Sequence, residues 1–177
     1  MPLTFRNVDA SPDDDVRSWP YEALVTAIDR GLVHDWQPIF AELRRAPWGE
    51  VARRIEHYLS YRPPDGVGTL FSLAIQRARA DAEAADRAAV AARVRRALAR
   101  SGVTAARFAA EVGTSASRLS TYLHGTVTPS AAMLVRIERT ARALAREGRG
   151  GPSVARRSRA AEPRPSARTR AAHRAGA

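Results

Sequence analysis

The chain has 177 residues, no cysteine, a formal net charge of +11 and an apolar fraction of 45% that is rich in alanine. The lack of cysteine excludes disulfides, thiolate zinc sites and cysteine nucleophiles. No stretch approaches the roughly 18 uncharged apolar residues of a membrane span, and no basic start leads into an apolar run, so neither a span nor a secretory signal is expected. The expected location is the cytoplasm.

The charge is unevenly distributed. Residues 1–86 carry 10 arginines and 14 acids, whereas residues 87–177 carry 19 arginines and four acids. GC-rich coding explains why every cationic residue is arginine and none is lysine. It does not explain why acids almost vanish after Asp86. A mildly acidic half joined to a strongly basic one points the second half toward a polyanion.

In chain order, residues 1–17 read as irregular and acidic, with Pro2, Ser11-Pro12 and the run Asp13–Asp15. A helical region over 18–80 follows. Its first helix is expected to start at Ser18 as N-cap, with Pro20 in the first turn. Tyr21, Leu24, Val25 and Ile28 recur at helical spacing, and Gly31 is a stop. Asp35 is the expected cap of a second helix bearing Ile39, Phe40 and Leu43. A third runs from about Trp48 to Tyr61, with Val51, Ile55, Tyr58 and Leu59 apolar, and Pro63-Pro64-Asp65-Gly66 breaks it. Trp19, Trp36, Trp48, Tyr58 and Tyr61 are the expected aromatic core. After Gly68 a helical stretch reaches Arg100, marked by Leu70, Phe71, Ala74 and Ile75 early and by Val90, Val94 and Leu98 late. Its Ala-rich middle allows one long helix or two. No alternating run argues for a sheet, so the fold class is all-α. From Glu147 onward Gly, Pro, Ala, Ser and eight arginines give a tail, 147–177, expected to be disordered.

Residues 87–146 carry the most specific pattern. Thr104 is an N-cap, and Phe108, Ala109 and Val112 form a short apolar face. Gly113 follows, where a sharp turn between crossing helices favours a residue tolerant of positive φ. A second short helix starts at Thr114 or Ser115, buries Leu119 and Leu123 with Tyr122 alongside, and stops at Gly125. Thr128-Pro129-Ser130 leads into a further helix burying Met133, Leu134, Ile137 and Leu144. The outward face holds Ser115, Ala116, Ser117, Arg118, Ser120, Thr121 and His124, with no acid. A helix in the major groove must keep carboxylates away from phosphates and needs small or hydrogen-bonding groups at base edges. Its N-terminus also presents free N–H groups to phosphate.

The segment Val94–Leu144 resembles the Cro/phage-repressor-like (Xre-type) helix-turn-helix family. The stretch GVTAARFAAEVGTSASRLSTYLHGTVTPS, Gly102 to Ser130, follows that family's pattern in Ala109, Gly113, Leu119, Ser120, Tyr122, Gly125 and Pro129. About 50 of the 177 residues are covered. The resemblance implies a lambda-repressor-like five-helix domain whose third helix reads the major groove of double-stranded DNA. By motif position, Ala116, Ser117 and Thr121 face bases. Thr104, Thr114, Ser115, Arg118 and Ser120 sit near phosphates, with His124 at the margin, and Arg107 is expected to replace the phosphate attraction that Ala105 removes. Ala105 and Arg107 stand where family members often have Gln or Glu, and Leu123 where Glu is common. The base-facing set lacks Arg, Asn and Gln, so direct readout is expected to be modest and the phosphate contribution large. SWPYEALVTAIDRG and APWGEVARRIEHYLSY are loosely similar to helical segments that precede such domains in high-GC bacterial regulators.

The expected function is a sequence-specific transcriptional regulator of repressor type, associated with the nucleoid and open to homodimerisation. Residues 18–80 would serve a protein partner, an effector or a dimer surface. Two alternatives stand beside it. An antitoxin-like interaction module would autoregulate through the same helix pair, and an Arg-rich coating protein would bind DNA without sequence preference. No enzyme is expected. His34, His57, His124 and His173 are scattered without metal-ligand spacing. Gly66-Val67-Gly68-Thr69 lacks the third glycine and preceding strand of a dinucleotide motif. No cofactor or metal is expected.

Overall fold

The computed structural model describes residues 3–6 and 8–150, and the expected disordered tail from 151 onward, with Arg156 to Arg174, lies outside them. Seven α-helices run in the order α1 Tyr21–Arg30, α2 Gln37–Arg45, α3 Glu50–Tyr61, α4 Gly66–Ser101, α5 Ala105–Val112, α6 Ala116–His124 and α7 Ala131–Gly150. The described residues contain no strand, in keeping with the all-α reading. None of the helices among them is long and apolar enough to cross a membrane.

Helix starts depart from expectation where a side chain reaches backward. Ser18 does not cap α1; its hydroxyl donates to the Asp15 carbonyl at 2.7 Å inside a 3-10 turn over Val16–Ser18, and Pro20 takes the N-cap position of α1. Asp35 does not cap α2. Its carboxylate accepts the Leu32 N–H at 2.7 Å and closes the preceding turn, so α2 begins after Trp36. Asp65 caps α4, accepting the Gly68 N–H at 2.7 Å, and this starts the helix before Gly68.

The buried side chains fall into two clusters. The first joins Val16, Trp19, Leu24, Ile28, Trp36, Ile39, Leu43, Val51, Ile55 and Tyr58 to Phe71, Ile75 and Ala78 from the start of α4. Phe71 sits between Trp36 and Phe40, with ring centroids 5.4 Å and 5.2 Å away. The segment expected to be irregular contributes here: Leu3, Phe5, Val8 and Ala10 pack on the cluster, and Phe5 meets Trp19 edge-on. Trp48 and Tyr61 are corrections to the expected core, at 46% and 59% exposure. The tight turn in which the Gly49 N–H donates to the Ala46 carbonyl directs Pro47 inward and Trp48 out. Tyr61 ends α3, where it meets the edges of His57 and Tyr58 and its hydroxyl contacts that of Tyr21 at the surface.

The second cluster holds Val94 and Ala97 of α4, Phe108, Ala109 and Val112 of α5, Leu119 and Tyr122 of α6, and Leu134, Ile137, Ala141 and Leu144 of α7. Leu123 and Met133, expected to be buried, are only partly so. Residues 87–150 hold four helical segments instead of the five implied by the resemblance. No proline or glycine interrupts 131–147, so α7 continues unbroken, and the expected tail boundary at Glu147 lies inside it. Between the clusters α4 is a single rod. Residues 81–89 are exposed apart from half-buried Ala82.

One polar cluster ties α1 to α3 and α4. The Tyr58 hydroxyl donates to the Asp29 carboxylate at 2.7 Å, and Arg62 pairs with Asp29 at 2.8 Å and with Asp65 at 2.6 Å. Burial, with the Asp29 hydrogen bond second, pushes the Tyr58 phenol up to about 12. Tyr21 beside Tyr61 is also raised to about 12, again chiefly by desolvation.

Two outcomes are expected. All three tryptophans lie in residues 19–48, so their emission reports the first cluster alone. Phe71→Ala should lower the urea midpoint of tryptophan emission, at a cost of about 3–5 kcal/mol. Phe108→Ala should instead cost helical circular dichroism and leave that emission midpoint in place. The second concerns alkali. A folded-state phenol pKa above the free value of about 10 gives stability that is complete below pH 10 and lost as pH rises toward 12. Tyr58→Phe should reduce that alkaline loss without abolishing it, because Tyr21 remains. At pH 8 it should cost about 1.5–3 kcal/mol for the lost charge-assisted hydrogen bond, measured by urea unfolding.

Candidate nucleic-acid interface

The α5–α6 pair is shaped by its caps. Thr104 Oγ1 accepts the Arg107 N–H at 3.4 Å and Ser115 Oγ accepts the Arg118 N–H at 3.1 Å, so each short helix has a side-chain N-cap. Each ends on a left-handed glycine, Gly113 at φ 77° and Gly125 at φ 74°. In both, a pair of nested hydrogen bonds closes the end. Thr114 N–H donates to Ala109 and Gly113 N–H to Ala110; Thr126 N–H donates to Thr121 and Gly125 N–H to Tyr122. This six-to-one and five-to-two pattern needs a left-handed residue at the turn, which glycine adopts without a Cβ penalty. The result is a short, fixed connection between α5 and α6.

Packing then decides which face of α6 is outward. Leu119 and Tyr122 are buried against the second cluster. Ala116, Ser117, Ser120 and His124 follow one another at i, i+1, i+4 and i+8, and all are exposed, so they share one face. Arg118 is exposed on the flank, its Nε donating to Tyr122 Oη at 3.2 Å. No acidic residue lies between Glu111 and Glu138.

The sequence-predicted residues divide by what their polar groups already do. Ser115 uses its hydroxyl oxygen as the α6 cap. Thr114 is half-buried in the turn. Thr121 is half-buried, and its hydroxyl donates to the Arg118 carbonyl at 2.8 Å, so toward a ligand it can only accept. Ser120 Oγ lies 3.4 Å from His124 Nδ1, which is 2.8 Å from the Ser120 carbonyl. That contact requires the proton on Nδ1 and leaves Nε2 as the outward acceptor in the neutral ring. Ser117 has no side-chain partner among the described residues. Thr104, the N-cap of α5, and Arg107 within it lie one helix away. Arg107 is exposed, with Nε 3.8 Å from Glu111.

Two arginines of α4 steady this half. Arg95 Nη1 donates to the Leu123 carbonyl at 2.6 Å and satisfies the C-terminal end of α6. Arg93 pairs with Glu138 at 2.8 Å, tying α4 to α7 and neutralising one of the few acids of this half. Neither has a sequence signal, since each partner is at least 28 residues distant.

The chain matches no family model, and no curated protein or solved structure is significantly similar to it. Among the described residues, no group of three His, Cys, Asp or Glu side chains is placed to hold a metal ion.

Gly113→Ala forces a side chain into the left-handed region and should destabilise by about 1–2 kcal/mol. Gly66→Ala, where an added Cβ meets nothing within 4 Å, should stay within about 0.5 kcal/mol of the parent, both variants being followed by helical circular dichroism in urea.

Proposed function

We propose that the protein is a DNA-binding transcriptional regulator of repressor type that lays α6 in the major groove of double-stranded DNA. The observation that carries this reading is the outward face of α6. It is exposed, free of acid and held by a glycine turn against α5, in a half of the chain where arginines far outnumber acids. Ala116 and Ser117 lead into the groove, with Thr121 behind them as an acceptor. Arg118, Ser120, Thr104 and Arg107 meet the sugar–phosphate backbone on either side. Two copies on one duplex would read half-sites about one helical turn apart.

The partner of Arg118 is the uncharged hydroxyl of Tyr122, so the guanidinium keeps its charge uncompensated and can swing to a phosphate oxygen without leaving a carboxylate unpaired. The small side chains at the leading positions admit the helix closely and discriminate bases weakly, because no bidentate pair is available. Most of the affinity therefore comes from counterion release.

Fluorescence anisotropy of the full chain on its own upstream duplex and on a random duplex, over a range of salt, tests this. Arg118→Ala should weaken binding to both by a similar factor and lower the log–log salt slope by about one. Loss confined to one duplex would make Arg118 a base reader. Equal wild-type affinity for both duplexes at every salt would favour a coating protein over a regulator. No binding at low salt would remove the DNA reading altogether and leave the protein-interaction alternative.

A further inference from the structure

A second concentration of positive charge lies in this half, and no residue of α6 lines it. Helix α4 ends at Ser101 and turns through left-handed Gly102, and α5 starts at Ala105 beside the last turns of α7. Between these three helices is a cavity of about 720 Å³, within the usual range of about 300–1,000 Å³ for small-molecule sites. Val103 and Leu144 give it an apolar wall. Its charged lining is Arg100, Arg107 and Arg149, one from each helix, against the single acid Glu147.

What these guanidinium groups already hold is little. Arg149 Nε donates to the Ala145 carbonyl at 3.1 Å, which leaves its two terminal nitrogens. Arg107 stands 3.8 Å from Glu111, too far for a hydrogen bond. Arg100 has no carboxylate within 4.0 Å among the described residues. The acidic half behaves differently: Arg45, Arg62, Arg77 and Arg79 each contact a carboxylate at 3.0 Å or less. Three like charges from separate helices at one concavity repel one another, and an anion between them removes that repulsion. A guanidinium fork matches two oxygens of a phosphate, and three forks around a cavity match a phosphate-bearing group better than a single carboxylate.

We infer that this cleft binds a phosphate-bearing anion. The phosphate has two sources. It belongs either to the DNA backbone where it passes the start of α5, or to a free phosphorylated small molecule. The first source rests on the DNA reading above, and the second does not.

The test uses the full chain and the variant R100Q/R149Q, whose substitutions are at exposed positions outside the α6 face. Inorganic pyrophosphate binding is followed by calorimetry, and duplex binding by anisotropy over a range of salt. If the source is a free ligand, the wild type binds pyrophosphate, the variant binds it at least about tenfold more weakly, and duplex affinity is unchanged. If the source is DNA, the variant loses duplex affinity and its log–log salt slope falls by about two. Glu147→Gln should strengthen whichever binding is found. A variant equal to the wild type toward both probes, with matching circular dichroism, overturns the inference, as does a wild type that binds neither probe. Failure of the DNA reading is seen separately: a wild type that ignores the duplex at low salt but takes pyrophosphate retires the role of α6 and keeps the cleft.

Discussion

Both apolar cores are built on one helix. Phe71, Ile75 and Ala78 at one end of α4 complete the first, Val94 and Ala97 near the other end complete the second, and solvent surrounds most of the stretch between. A helix exposed on every side has no tertiary packing to hold it, so its stability must come from its own residues. Five of the nine residues 81–89 are alanine, the strongest helix former. The pairs Arg77–Asp81 at 3.0 Å and Glu83–Arg87 at 3.8 Å span it at i, i+4, each adding a few tenths of a kcal/mol. The costly nucleation step is also avoided, because each end is already fixed as helix by the core that it serves.

The two halves use arginine for different purposes. In the acidic half it is a connector: Arg79 joins α4 to Glu56 of α3, and Arg62 joins Asp29 of α1 to Asp65. Among the described residues of the basic half, most arginines have no carboxylate within reach. Arg95 serves a helix end, Arg118 rests on a tyrosine, and others stand toward solvent. A surface of unpaired guanidinium groups destabilises an isolated domain slightly and favours any polyanion that relieves it. This is why the proposed nucleic-acid face and the proposed phosphate cleft occur in the same half.

Legibility in the sequence followed the physical range of each interaction. Periodicity located all seven helices to within a few residues, because burying one stripe of a helix imposes its spacing directly. Most of the outward face of α6 was legible for the same reason from Leu119, although Leu123, taken as inward, is only partly buried and Tyr122, placed alongside it, is buried. Helix starts were less so. Ser18, Asp35 and Asp65 are all good caps by type, and only the local turn decides whether the side chain reaches forward or back. Trp48 was misplaced because size suggests burial, while a turn of four residues decided otherwise. The continuity of α4 was undecidable from apolar spacing, since its middle has no apolar stripe at all. The hydroxyl use of Ser115 and Thr121, and the convergence of Arg100, Arg107 and Arg149, depend on hydrogen bonds and on distant helix ends, which leave no periodic trace.

The exposed rod of α4 also acts as an angular gauge. Each residue of an α-helix advances the chain by about 1.5 Å and turns it by roughly 100°. One residue added between Asp81 and Ala89 therefore lengthens the molecule trivially, yet points the second core to a different side of the first. Seven added residues return nearly the original phase and displace the halves by about 10 Å. Length changes in this stretch thus form a discrete set, in which only near-whole turns preserve the facing of α6 relative to the acidic half. Any task that needs both halves to engage one object together constrains the number of alanines here, although none of them touches that object.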